Sequence, residues 1–318
     1  MGTVKGINDY SIGLVLAGGG AKGAYEAGVF KALYDMEIVS QIKVISGTSV
    51  GAVNALLLAM NDGSIIDESW NSISYSRFIA NEEKTRTQKL SHIIDKVRGN
   101  EGSILEQLSL NDMGLLSQSG IRRFIKDYVD ASVVKKNHRT IYACAYDIAE
   151  DKPEYFKLNN CNEEEIIDRV LASCAIPFIF KPIVIEGKKY ADGGIHSPEY
   201  RKGNVDNVPL EPLKKHNCDL IIVVHLSYKN SIDRKGFPEN NIVEIFPSSP
   251  LEIINGIGGL TISSGTLKSH IDMGYRDAMV TLAPVIMKIL RGHDISGAME
   301  RIDTYNENLV LENQHRII

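Results

Sequence analysis

Residues 12–23 read IGLVLAGGGAKG, a continuous apolar run followed by a glycine-rich turn. An unbroken apolar run is typical of a strand that is buried on both faces of a parallel sheet. Good helix formers follow from Ala21 to Met36, and small residues among them allow the helix to approach the sheet closely. This stretch therefore predicts strand, tight turn and helix in direct succession.

The next segment of the chain repeats that pattern. Residues 42–46 (IKVIS) predict a short strand, residues 47–51 a tight turn, and residues 50–60 a helix that is apolar almost all round. A helix without a polar face belongs in the interior of a protein. Two such units with short turns favour a mainly parallel sheet covered by helices.

Further elements follow along the chain. Residues 63–130 predict a helical elaboration at the side of the sheet, and residues 229–265 are loop-like in composition. We found no persuasive linker, so we predict one main domain over residues 10–291 and a C-terminal helical tail over residues 292–318. The other predicted elements are strands at 141–146, 183–185 and 220–226, an amphipathic helix near 121–129, helices at 163–174 and 274–291, and a hairpin at 186–188.

The amino-acid composition limits the classes of function that the protein can have. The 318 residues carry 35 Lys and Arg against 40 Asp and Glu, a net charge of −5 that argues against a nucleic-acid partner. The four cysteines form no CxxC pair and the eight histidines show no metal-ligand spacing, so we expect a reduced, cytoplasmic protein without a metal ion. The N-terminus predicts no signal peptide, and no apolar run is long enough to span a bilayer, so any membrane contact should be peripheral.

Gly47-Thr48-Ser49-Val50-Gly51 matches the pattern G-x-S-x-G between a predicted strand and a predicted helix. In that position the pattern indicates a nucleophile elbow, a sharp turn that presents a serine at the end of a strand. A helix that begins directly after the serine also favours negative charge at its N-terminus. The alternative is that Ser49 merely caps the helix.

The loop at residues 18–23 supports two different enzyme classes. It matches G-x-G-x-x-G after a strand, which is the pattern of a dinucleotide site formed by Gly18, Gly20 and Gly23. Such a site needs an acidic residue at the end of the second strand, where this chain has Ile45-Ser46-Gly47. The amides of Gly19 and Gly20 fit the alternative, an oxyanion hole for acyl transfer.

A nucleophilic serine needs a base, and the residues alone leave three candidates. His196 lies near a glycine turn, His225 ends an apolar strand, and Asp192 precedes two glycines. Lone histidines are more often structural, and an aspartate before glycines is ordinarily part of a turn. The spacing of these three residues along the chain does not indicate which of them is the base.

Four motifs together resemble the patatin-like phospholipases of the bacterial type. They are the glycine loop at 18–23, the G-x-S-x-G at 47–51, the block ASCAIP at 172–177 and Asp192-Gly193-Gly194, with GYRDA at 274–278 as a closing element. The match spans roughly residues 10–282, nearly the whole chain. The resemblance implies a three-layer α/β/α fold with a mainly parallel central sheet and a helical side elaboration.

The resemblance also implies a function and its residues. It implies a serine hydrolase that cleaves carboxylic esters of phospholipids or other fatty-acyl lipids without a cofactor, with Ser49 as the nucleophile and Asp192 as the general base. The supporting residues it implies are an oxyanion loop of Gly18, Gly19, Gly20, Ala21, Lys22 and Gly23, a nucleophile elbow of Gly47, Thr48, Val50 and Gly51, and a base loop of Gly193 and Gly194. The alternatives are a non-catalytic or regulatory protein with the same fold and a nucleotide-dependent oxidoreductase.

Two departures from the family pattern concern substrate access. Many relatives have Arg where this chain has Lys22, which replaces a bidentate anion contact with a point charge. Asn207-Val208-Pro209 resembles an element that usually follows the Asp-Gly-Gly directly, and here the segment 196–205 separates the two. For transient membrane contact, the sequence offers a basic stretch at 84–98 and an isoleucine-rich segment at 251–262.

Overall fold

The computed structural model describes residues 6–72, 118–177, 179–194, 206–228, 232–238, 240–251 and 264–314. In this part of the chain, α-helices pack against a mixed eight-stranded sheet, and the predicted α/β fold is confirmed. The strands are β1 (Ile12–Leu16), β2 (Ile42–Thr48), β3 (Thr140–Asp147), β4 (Lys152–Lys157), β5 (Ile183–Ile185), β6 (Lys188–Asp192), β7 (Leu220–Val224) and β8 (Asn241–Ile245).

The sheet has a parallel part and an antiparallel part. The order is β5-β6-β3-β2-β1-β7-β8, with β4 also paired to β3. Strands β3, β2, β1, β7 and β8 pair in parallel, whereas β4, β5 and β6 are antiparallel to their neighbours. The carboxyl ends of the parallel strands therefore meet at one edge, the usual position of a site in an α/β protein.

Eight α-helices complete the described part of the chain. Every residue of α2 except Val50 is buried, as its uniformly apolar sequence predicts. Helices α1 and α7 cross so closely that a Cβ atom added at Gly28 would lie 1.9 Å from the Ile271 carbonyl oxygen. The helices are α1 (Ala24–Asp35), α2 (Val50–Ala59), α3 (Gly63–Asn71), α4 (Ser119–Tyr128), α5 (Ala131–Lys136), α6 (Glu163–Ser173), α7 (Ser264–Leu290) and α8 (Ser296–Gln314).

All the strands that the sequence predicts are present in the structure. The structure also contains two strands that we did not predict, β4 and β8, and one helix begins earlier than we predicted. Strand β8 lies inside the segment that we predicted as loop, and α7 begins ten residues before the predicted start at Gly274. Strand β4 contains Pro153 and is half-exposed along most of its length, so it lacks the apolar pattern of a buried strand. Strand β4 is thus defined by its pairing with β3 rather than by local sequence, whereas β8 is a short apolar run, NIVEI, within a segment of loop-like composition.

The last helix packs on the main sheet. The side chain of Asn306 in α8 donates from Nδ2 to the backbone oxygen of Glu244 in β8 at 2.7 Å. The proposed division at residue 291 stays a prediction. None of the helices described in the structure combines the length and apolarity that crossing a bilayer requires. The basic stretch at 84–98, the segment 196–205 and nearly all of 251–262 lie outside the described residues.

Candidate active site

Ser49 occupies the turn between β2 and α2 in a strained backbone conformation. Its φ is 54° and its ψ is −123°, a left-handed region that few residues other than glycine adopt. The residue is buried, with 6% exposure. Ser49 stands at the N-cap position of α2, but its hydroxyl makes no capping hydrogen bond. The interpretation of Ser49 as a simple cap is therefore wrong.

The glycines on either side of Ser49 are required by close packing. A Cβ atom at Gly47 would lie 2.3 Å from the carbonyl of Gly51, and one at Gly51 would lie 2.4 Å from the Leu16 oxygen. Contacts this short do not occur for real Cβ atoms, so β2, α2 and β1 can approach each other only with glycine at both positions. The G-x-S-x-G pattern thus has a steric origin in this fold.

Ser173 holds the backbone of Ser49 and was not singled out by the sequence. The N–H of Ser49 donates to Ser173 Oγ at 2.8 Å, and Ser173 Oγ donates in turn to the carbonyl oxygen of Cys144. Ser173 is fully buried at the end of α6. The only sequence signal for it was its place in the ASCAIP block.

Strand β3 brings Asp192 next to Ser49. In β3, Cys144 pairs with Thr48 of β2, and the next residue, Ala145, pairs with Asp192 of β6. Strand β4 pairs with these same two β3 residues, so it takes the other edge of β3. Strands β2 and β6 therefore meet end to end along one edge, and their last residues are neighbours.

Burial raises the pKa of Asp192. The residue is 4% exposed, and burial raises the pKa of its carboxyl to about 6, against smaller opposing effects from hydrogen bonding to the Ser49 side chain and to the backbone of Gly194. The Gly194 N–H donates to Asp192 Oδ1 at 2.7 Å. Oδ2 is buried and has no hydrogen-bond partner of normal geometry among the described residues. No described cation neutralises this carboxyl group.

The glycine loop lies directly beside Ser49. A Cβ atom at Gly18 would lie 3.3 Å from Ser49 Cβ, and one at Gly23 would lie 2.4 Å from the Val50 side chain. The N–H of Gly18 donates to Asn207 O at 3.0 Å, so the fold already uses this donor.

The amide donors that remain for a ligand lie in the middle of the loop. The N–H of Lys22 donates to Gly19 O at 3.3 Å and is also used by the fold. Residues Gly20–Gly23 form a 3-10 helix, and the first N–H groups of a helix have no partner within it. The amides of Gly19 and Gly20 donate no hydrogen bond to the described backbone. The loop can therefore offer amides to an anion beside Ser49.

Of the other two candidate bases, the structure describes His225 alone, and it pairs with Glu244. His225 follows β7 and is fully buried, where its Nε2 is 2.7 Å from Glu244 Oε2 and its ring stacks on Phe246 at 4.0 Å. His196 lies outside the described residues. Among the three acidic or imidazole side chains that the sequence left open, only Asp192 is placed beside the serine in the described structure.

A buried polar network supports the helices behind the glycine loop. Asn54 Nδ2 in α2 donates to Glu26 Oε2 at 2.7 Å and to the Gly23 carbonyl at 3.0 Å, while Trp70 Nε1 donates to Asn54 Oδ1 at 3.0 Å. Burial raises the pKa of Glu26 well above its ordinary value. The described residues contain no group of three or more His, Cys, Asp or Glu side chains arranged to hold a metal ion.

The fold and this strand-end serine define a patatin-like phospholipase domain. The family model described as "Patatin-like phospholipase" matches residues 14–213, which include the glycine loop, Ser49 and Asp192. The chain therefore belongs to the patatin-like phospholipase family.

Similar proteins include curated sequences and a solved structure. An uncharacterized NTE family protein of Mycobacterium tuberculosis is 26% identical over 70% of this chain, and this chain spans 51% of that protein. A lysophospholipase of Aspergillus terreus is 24% identical over 72% of this chain and 13% of its own length. This chain thus spans about half, or less, of these relatives. The structure of human GIVD cytosolic phospholipase A2 covers 92% of this chain and 60% of its own, at 8% identity and a TM-score of 0.49.

Proposed function

We propose that this protein is a serine acyl hydrolase that cleaves carboxylic ester bonds of lipids. In this proposal Ser49 is the nucleophile, Asp192 is the general base, and the amides of the glycine loop stabilise the oxyanion. The observation that carries the proposal is the buried carboxyl of Asp192, which no described cation neutralises, beside the strained turn at Ser49.

The raised pKa of Asp192 suits a base at neutral pH. A carboxyl group with a pKa near 3.9 accepts protons poorly at pH 7, whereas one with a pKa of about 6 is a stronger base and is still mostly ionised. The Ser49 hydroxyl lies close enough to lower that pKa by hydrogen bonding. Activating a serine requires contact with a base and matched basicity, and the pKa shift of Asp192 supports both.

The reaction then has two balanced halves. Ser49 Oγ attacks the ester carbonyl carbon while Asp192 takes the hydroxyl proton, and the carbonyl oxygen becomes an anion that faces the loop amides. The tetrahedral intermediate expels the alcohol, which receives the proton from Asp192. Asp192 next takes a proton from water, the hydroxide attacks the acyl-serine, and the proton returns to Ser49 as the carboxylic acid leaves.

The substrate proposal depends on family and relatives. We propose phospholipids, lysophospholipids or other fatty-acyl esters, met during transient contact with a membrane surface and without a metal ion or cofactor. The A. terreus relative is named a lysophospholipase, which supports an ester of this class.

A fluorophosphonate probe tests the proposal directly, since it phosphonylates an activated serine with loss of fluoride. We expect labelling of the wild type at Ser49 and none of Ser49→Ala, with fatty acid released from a lipid panel by the wild type alone. Ser64→Ala, at the exposed start of α3, is the matched control and should label like the wild type. A folded wild type that neither labels nor releases fatty acid would establish the non-catalytic alternative instead.

A further inference from the structure

Two residues, Asp206 and Asn207, contact every loop of the candidate site. Asn207 binds the start of the glycine loop through two hydrogen bonds: its carbonyl accepts from Gly18 N at 3.0 Å, and its Nδ2 donates to Gly18 O at 3.1 Å. Both backbone groups of Gly18 are therefore fixed by one residue.

The side chain of Asn207 also fills the space between the glycine loop and the base loop. A Cβ atom would lie 2.5 Å from Asn207 Oδ1 if added at Gly18 and 2.2 Å if added at Gly194. Gly194 is the residue whose N–H binds the Asp192 carboxyl. Asn207 thus touches both the loop with the amide donors and the residue that orients the base.

Asp206 extends these contacts to the serine turn and to the outer strand. Its backbone oxygen accepts from Thr48 Oγ1 at 2.7 Å, one residue before Ser49. Its Oδ2 accepts from the Tyr155 hydroxyl of β4 at 2.6 Å. The two residues together connect the serine turn, the glycine loop, the base loop and β4.

We propose that Asp206–Asn207 is a positioning clamp that fixes the spacing between the glycine-loop amides, Ser49 and Asp192, and thereby sets the rate of acyl transfer. The inference rests on the proposed function, because it assigns a rate to that reaction. Catalysis of this kind depends on donors held in place before the reaction, and a misplacement of about 1 Å can cost about a hundredfold in rate.

The test compares three variants in the full chain. Asn207→Ala removes the Nδ2 hydrogen bond to Gly18 O and the side-chain contact with Gly194 but keeps the backbone bond from Gly18 N. Asn207→Asp keeps the shape but replaces the Nδ2 donor, and Tyr155→Phe loosens Asp206 from β4. Asn240→Ala is the matched control, since Asn240 Nδ2 also donates to a backbone oxygen, that of Cys218 at 2.7 Å, just before β7 begins. We would measure the rate of fluorophosphonate labelling, kcat and KM on a short-chain p-nitrophenyl ester, and thermal unfolding.

The clamp predicts a loss of kcat with little change of KM. We expect labelling and kcat to fall about tenfold to a hundredfold in Asn207→Ala and about threefold to tenfold in Tyr155→Phe, with Asn240→Ala near the wild type. In Asn207→Asp the added carboxylate faces Gly194, so the apparent pKa of the rate should rise by about one unit.

Three results would overturn the clamp. The first is a labelling rate within twofold of wild type in both Asn207→Ala and Tyr155→Phe, with the wild type labelled normally, which removes the clamp and leaves the proposed function intact. The second is an equal rate loss in Asn240→Ala, which would show a general effect of stability. The third is a wild type that does not label, which removes the proposed function and the clamp with it. If the Asn207 variants do not fold, the isosteric Tyr155→Phe decides by the same criterion.

Discussion

Asp192 and Glu244 are two largely buried acids near the carboxyl edge of one sheet, and they differ in their partners. Burial raises the pKa of Asp192 to about 6, and no described cation opposes it. Burial also acts to raise the pKa of Glu244, but hydrogen bonds and charge from His225 and Arg234 outweigh it and lower the pKa. Glu244 Oε1 accepts from Arg234 Nη2 at 2.6 Å, and Oε2 is 2.7 Å from His225 Nε2.

The comparison shows that burial alone does not set the chemistry of an acid. A carboxylate that is paired with cations is a structural group, since its charge is already compensated. A carboxylate that is buried without a cation keeps a high proton affinity and can act as a base. The two acids therefore predict opposite responses to the same kind of substitution.

The largest expected effect is on catalysis. Asp192→Asn should lower ester turnover by about a thousandfold or more, because the serine loses its base while the side-chain shape is kept. Glu244→Gln should leave kcat within about threefold of the wild type. Steady-state assays on a soluble ester check both, and equal losses in the two variants would contradict the assignment of the base.

The pH dependence of the wild type sharpens the comparison further. Asp192 must be ionised to accept a proton, so kcat/KM should fall about tenfold per pH unit below an apparent pKa of about 6 and level off above it. A pH–rate profile between pH 4.5 and 8.5 measures this. A flat profile across that range would show that no group with the pKa of Asp192 limits the reaction.

Stability should respond with opposite signs. A folded-state pKa above the unfolded value means that Asp192 favours the folded state only when protonated, and this contribution disappears as the pH rises from about 4 to about 6. At pH 8, Asp192→Asn should raise the free energy of unfolding by roughly 2–3 kcal/mol. At pH 4 it should have little effect.

Glu244→Gln is the counterpart in the same denaturation experiment. At pH 8 it should lower the free energy of unfolding by about 1 kcal/mol, because it weakens the hydrogen bonds of Glu244 to the buried His225 ring and to Arg234, which is exposed and also binds Asp303. Urea denaturation of both variants at the two pH values gives the comparison. Destabilisation by Asp192→Asn at pH 8 would contradict the raised pKa of that carboxyl.

The smallest effect is expected at a third buried acid, Glu26. Burial raises its pKa well above the ordinary value, which favours the protonated form, and glutamine resembles that form in shape and hydrogen bonding. Glu26→Gln should change the free energy of unfolding by less than about 1 kcal/mol and kcat by less than about threefold. A much larger loss in thermal denaturation would show that Glu26 is ionised and bound to Asn54 as an anion.

The parts of the fold that the sequence predicts are those with strong local patterns. The runs at β1, β2, β3 and β7 are apolar, and the α4 pattern around Phe124 and Ile125 is amphipathic, so these elements are recognisable without any partner. Strand β4 contains a proline and is half-exposed, and β8 is a short apolar run within the segment 229–265 that is loop-like in composition. These segments are strands because they pair with the edges of β3 and β7, and a local sequence pattern does not show that pairing.

The candidate site likewise contains residues that the sequence predicts and residues that only the structure reveals. The G-x-S-x-G pattern predicts Ser49 because the turn needs glycines on both sides, and the structure gives the distances that require them. Ser173 and the Asp206–Asn207 pair act through hydrogen bonds to distant loops, and the sequence marked Ser173 and Asn207 only through family resemblance, without a role for either. The choice among His196, His225 and Asp192 came from family resemblance and not from the residues themselves.

The sequence by itself determined the two strand–turn–helix units and the serine at the end of the second strand, because apolar periodicity and glycine sterics act between neighbours in the chain. Only the tertiary structure decided which acid meets that serine, since successive residues of β3 pair with the ends of two different strands. It also decided the proton affinity of Asp192, because burial and the absence of a nearby described cation are properties of the assembled sheet.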